Sequence, residues 1–139
     1  MKKIKGISLF IIFVLFSGIA QAGLFDGMIL QKANKYYQEG KYNEAMIEYQ
    51  NLRDASPENP MSYYGMGSIW YAVGNYEMAL NRFQIAIQLE PKFLLAYLWA
   101  GNTYWKIGKK DKAIQYWKEC LKIDPKNESA KSNIKEAQR

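Results

Sequence analysis

The chain has 139 residues, 19 Lys and Arg against 13 Asp and Glu, a net charge of +6, no His and one Cys. That length suits one domain, and without His every mechanism needing imidazole as base, nucleophile or metal ligand is excluded. A single Cys leaves no intramolecular disulfide and no multi-cysteine metal site, while a hydrophobic share of 49% is too apolar for a disordered chain.

The first element is a leader. Lys2, Lys3 and Lys5 precede an apolar run from Ile7 to Phe16, and Ala20-Gln21-Ala22 supplies small residues at alternate positions. A basic start, a short apolar core and an A-x-A ending predict a secretory signal peptide over residues 1–22, cleaved after Ala22. The run is broken by Ser17 and Gly18 and falls short of the ~20 apolar residues that a spanning helix needs. No Cys stands at the cleavage point to carry lipid. The expected product, periplasmic or secreted, begins at Gly23 and loses three Lys and no acid, leaving +3. That residual is no nucleic-acid signature, and no nucleic-acid partner is expected.

From residue 26 onward the sequence repeats with a period of 34. Gly40, Gly74 and Gly108 share a column, as do Ala45, Ala79 and Ala113; Tyr49, Phe83 and Trp117; and Pro57, Pro91 and Pro125. Further columns are Tyr36, Trp70 and Tyr104; Tyr37, Tyr71 and Trp105; and Ala33, Gly67 and Gly101. Each row reads as two helices. In the second, Tyr63, Met66, Gly67 and Trp70 recur on one helical face and Gly74 closes it. Met78, Ala79, Phe83, Ala86, Ile87 and Leu89 form the next helix, which Pro91 stops. The Ala33, Gly67, Gly101 column is expected to face the Ala45, Ala79, Ala113 column, and the Tyr49, Phe83, Trp117 column to fill the gap towards the next repeat. One helix pair cannot bury such a face, so neighbours must stack.

These columns resemble the tetratricopeptide repeat, and the chain is similar to small exported bacterial members of that family. The resemblance implies an all-α fold: a right-handed superhelical solenoid of three helix–turn–helix repeats, about 26–59, 60–93 and 94–127, within a repeat region of 23–125. Departures are Lys32 at a usually apolar position, expected to face solvent at the chain's exposed end, Lys110 where Tyr42 and Tyr76 stand in the other rows, and Cys120 at a small-residue position. Residues 126–139 place Ala130, Ile134 and Ala137 on one side of a further helix, with Lys131 and Lys135 in columns that a full repeat would fill with apolar and small residues. It is expected to be a C-terminal capping helix with a wet outer face.

The resemblance also implies a concave groove lined by the first helices. Rotating each of these by one residue from its packed face gives Leu30, Asn34 and Tyr37; Tyr64, Ser68 and Tyr71; and Leu98, Asn102 and Trp105, with Trp99 at the same surface. Family members that hold a peptide's terminal carboxylate place Lys, Arg and Asn there, whereas here only Asn34 and Asn102 fit. The expected ligand is therefore an extended or helical protein segment with apolar anchors, held by aromatic burial and by Asn amides on its backbone. The function expected is that of an exported interaction adaptor or assembly factor for an envelope or secreted partner. The same aromatic and amide groups also suit sugar rings, which makes a glycan or peptidoglycan the alternative ligand.

No catalysis is expected. Glu44, Glu48 and Glu77 lie on solvated helix faces without a paired acid, Ser62 and Ser68 have no His to activate them, and Cys120 reads as a buried, inert thiol. No cofactor and no metal site is expected either. Charge is polarised: residues 23–91 carry five basic and eight acidic groups, residues 92–139 eleven and five. Lys106, Lys109, Lys110 and Lys112 cluster at the last inter-helix turn, a candidate docking patch for an acidic partner or, weakly, an anionic membrane surface.

Overall fold

The computed structural model describes the backbone from residue 8 and the side chains from residue 23 to the C-terminus. Residues 1–7 and the side chains of 8–22, over which the leader is expected, lie outside the described residues. Seven helices follow one another: α1 (Ser8–Gln38), α2 (Tyr42–Ala55), α3 (Pro60–Ala72), α4 (Tyr76–Leu89), α5 (Leu94–Lys106), α6 (Lys110–Ile123) and α7 (Glu128–Ala137). No strand occurs among the described residues, and no helix there is long and apolar enough to cross a membrane. The pairs α1/α2, α3/α4 and α5/α6 stack in order, α1 touching α3 and α3 touching α5, and α7 closes the array on α6. This is the all-α solenoid of three helix–turn–helix units with a terminal helix that the columns imply.

The two kinds of turn follow directly from the Gly and Pro columns. Within each pair the chain reverses at Gly40, Gly74 or Gly108, all at φ between 71° and 83°, a region costly for any side chain bearing Cβ. At each, the glycine N–H and the next N–H bond back to the ending helix, as Gly74 to the Tyr71 carbonyl and Asn75 to that of Trp70. Between pairs, Pro57, Pro91 and Pro125 occupy the second position of a β-turn. The turns close through Asn59 to Ser56, Phe93 to Glu90 and Asn127 to Asp124 at 3.0, 2.9 and 3.1 Å. Asn59 and Asn127 then cap the following helices by accepting from the Met61 and Ala130 amides.

Packing corrects one expectation about the columns. Ala33 and Ala45 are indeed buried in a single cluster with Tyr49, Met66 and Ile69. In the later pairs, however, the glycines receive the bulky rings rather than the alanines. A Cβ on Gly67 would lie 2.7 Å from the Phe83 ring, and one on Gly101 2.6 Å from Trp117. Phe83 and Trp117 therefore turn inwards within their own pair as well as towards the next. Tyr49 reaches the following pair, where a Cβ on Gly65 would overlap its ring.

Candidate functional site

The first helices α1, α3 and α5 carry the ten stripe residues, and the structure sorts eight of these into three situations. Leu30 and Asn34 border a broad open depression of about 700 Å³ along α1, together with Gln31 and Lys35. Tyr64, Ser68 and Leu98 serve packing. Tyr64 packs tilted against Phe83 and edge-on to Phe93, with ring centroids 6.0 and 5.4 Å apart; Ser68 donates to the Tyr64 carbonyl, and Leu98 lies against the C-terminal core. Tyr71, Asn102 and Trp105 converge on a smaller depression of about 190 Å³, completed by Lys106, Trp117, Asn133 and Glu136. Trp99 supports it from beside, edge-on to Tyr71 at 5.1 Å.

The aromatic column explains why Trp105 is the open member. Tyr37 packs on Tyr42 and Tyr71 on Tyr76, at 5.6 and 5.5 Å, and burial raises the phenol pKa of both. In the third pair the partner position holds Lys110, which offers no ring. Trp105 leans instead towards Trp117 at 6.1 Å and stays 39% exposed.

The two Asn residues are each half used by the fold. Tyr49 Oη donates to Asn34 Oδ1 at 2.6 Å, and Trp117 Nε1 donates to Asn102 Oδ1 at 2.9 Å, the same link 15 residues apart in two repeats. In the middle repeat Phe83 has no donor, and the equivalent Ser68 turns back onto its own helix. Asn102 Oδ1 accepts a second bond, from Asn133 Nδ2 at 2.9 Å, which ties α7 to the groove floor. What each Asn presents to a ligand is therefore its Nδ2, a donor. The expected pairing with a peptide backbone narrows to backbone carbonyls.

Sequence reasoning left Asn133 and Glu136 out of the groove because α7 reads as a cap. Their register was visible all the same: they stand one period after Trp99 and Asn102. Lys106 belongs to this depression, while Lys112 lies over the Tyr104 ring, 5.4 Å from its centroid. Lys109 and Lys110 are exposed at the start of α6. All four lysines are exposed around the turn between α5 and α6. Cys120 is fully buried, its Sγ 3.6 Å from the Leu94 carbonyl, and burial pushes its thiol up to about 12.

Stacked helix pairs with an aromatic concave depression define a helical-repeat solenoid. Its fold and repeats are those of tetratricopeptide-repeat domains: a model described as TPR repeat matches residues 33–74, and solved domains of that kind superpose on most of the chain. A model described as regulator of microtubule dynamics protein 1-3 matches residues 72–139. The first TPR domain of human RPAP3 is 25% identical, with 81% of this chain and 89% of that one covered and a TM-score of 0.77. The first TPR of Spaghetti (RPAP3), bound to the HSP90 peptide SRMEEVD, is 25% identical over 81% and 90%, also at 0.77. The Yersinia enterocolitica type III secretion chaperone SycD, in complex with a peptide of the translocator YopD, is 17% identical over 81% and 91% at 0.74. No curated protein matches the chain.

Proposed function

We propose that this chain is a non-catalytic adaptor that holds a segment of a partner protein in its concave groove, and that it works outside the cytoplasm after loss of residues 1–22. The observation that carries the groove reading is the depression where Tyr71, Asn102 and Trp105 meet α7. Aromatic walls there can bury an apolar side chain while the Asn102 Nδ2 donates to the segment's backbone. The peptide-bound Spaghetti domain supports the reading by its likeness in fold. Lys106 and Glu136 both line this depression, so it offers opposite charges rather than a purely cationic end. A segment with an internal apolar anchor suits it better than a terminal carboxylate. The export half of the proposal rests on the leader's charge and apolar pattern.

Crosslinking in cells followed by mass spectrometry, comparing the native chain with Trp105→Ala and with Tyr37, Tyr71 and Trp105 all changed to Ala, tests the groove. Partners should fall at least tenfold while helical circular dichroism is kept; undiminished capture refutes the site. N-terminal sequencing of the recovered protein tests export, with Gly23 expected and an intact Met1 refuting it.

A further inference from the structure

The turns inside the three helix pairs share one edge of the solenoid, since each joins a first helix to its returning partner. Before the turn glycine stand Glu39, Val73 and Ile107, and after it Lys41, Asn75 and Lys109. In the first pair this makes an ion pair, Lys41 Nζ lying 2.8 Å from Glu39. In the second, Asn75 caps α4 by accepting from the Met78 amide at 3.1 Å. The third pair has neither: Ile107 offers Lys109 no counter-charge, and α6 has no side-chain cap. Lys110 follows, where Tyr42 and Tyr76 pack on rings in the other pairs. Two cations thus stand at the helix end where the dipole opposes them. A local cost of this kind, at positions that stabilise the other pairs, marks groups with a task outside the fold.

Three features of this edge indicate the partner. Val73 is 53% exposed and Ile107 39%, two branched apolar side chains at the tips of neighbouring turns, whose helices α3 and α5 touch. Beside them Lys106, Lys109, Lys110 and Lys112 are exposed, and none makes an ion pair among the described residues. Acids are fewer: Glu77 at the start of α4, Asp111 after Lys110, and Glu136, which lines the depression with Lys106. All four cations are Lys, hydrated point charges without the guanidinium fork that grips a single carboxylate. We propose that this edge docks on an anionic phospholipid surface, with Val73 and Ile107 entering the headgroup layer and the four lysines lying among the phosphates. A bilayer receives protruding tips without a matching pocket, whereas an acidic protein would have to supply one for each.

The test is co-sedimentation of the protein recovered from cells with vesicles of mixed phosphatidylglycerol and phosphatidylcholine, against phosphatidylcholine alone. Binding at low salt should be about tenfold tighter to the anionic vesicles and should weaken as salt is raised. Lys109, Lys110 and Lys112 changed together to Gln should lose about fivefold for each charge removed. Lys92, Lys122 and Lys126 changed to Gln remove the same charge at the opposite end of the helices and should lose less than about threefold in all. Val73→Ser with Ile107→Ser should lose about fivefold with helical content unchanged. Lys109→Asn should bind more weakly yet unfold at a higher temperature, since Asn supplies the missing cap. Trp105 and Lys106 stay unaltered throughout because they line the depression read as the peptide site, so the two readings fail separately. Equal binding to neutral vesicles, matching losses in the two lysine triples, or undiminished binding by the Val73, Ile107 variant each overturns the proposal. So does an absence of binding to anionic vesicles; capture of polyglutamate in their place would assign the lysines to an acidic protein.

Discussion

The two ends of this solenoid are finished by opposite means. At the C-terminal end, α7 buries Ala130 and Ala137 and turns Lys131 and Lys135 outwards, so the last pair's core is covered and the outermost face is polar. At the other end, α1 and α2 leave Phe25, Met28 and Ile47 in the open. The same column therefore holds a buried Ala at one end and an exposed Met at the other. What a residue contributes in a repeat array is set by its neighbour along the stack as much as by its place in the repeat.

The largest expected effect comes from placing a charge in that column at each end. Ala130→Glu puts an unpaired carboxylate into the packed α6–α7 interface and should cost about 2–4 kcal/mol in urea unfolding. Met28→Glu should stay within about 0.5 kcal/mol. Equal losses would break the comparison. Next come the two Asn links. Asn102→Ala leaves Trp117 Nε1 and Asn133 without their acceptor and should cost about 1–3 kcal/mol, with faster hydrogen exchange in α7. Asn34→Ala removes the acceptor of Tyr49 alone and should cost less, about 1 kcal/mol.

A separate effect, which grows with pH, is seen in alkali. Burial lifts Cys120 from an ordinary value of 9.0 to about 12 and Tyr49 from 10.0 to about 12. Both groups are neutral in either state at lower pH. Above their ordinary values the unfolded chain releases protons that the folded chain retains, so stability is full below pH 9 and declines from there towards 12. Thermal unfolding across this range should show the decline. Cys120→Ala should delay its onset, and Tyr49→Phe should flatten the part above pH 10.

Much of this architecture was legible in the sequence because Gly and Pro restrict the backbone itself. Gly40, Gly74 and Gly108 fix one kind of turn and Pro57, Pro91 and Pro125 the other, and the helices fill the intervals. Which columns touch was less legible. Ala79 and Phe83 lie one helical turn apart on the same face, and only the way α3 crosses α4 decides that the ring, rather than the methyl, meets Gly67. The site was legible as a stripe, but its members' roles depended on their partners. Phe93, at the start of α5, engages Tyr64, whereas Lys110 leaves Trp105 open. The α7 residues were missed because the reading of a cap drew attention to its buried side.

Asn102 makes the cap and the groove a single thermodynamic unit. Its one oxygen ties α6 through Trp117 and α7 through Asn133 to the floor of the depression, so fraying of α7 removes a wall as well as a lid. A ligand that fits only the walled depression must draw part of its affinity from keeping α7 docked. By the same linkage, it should slow the local opening of the chain's last ten helical residues in proportion to how tightly it binds.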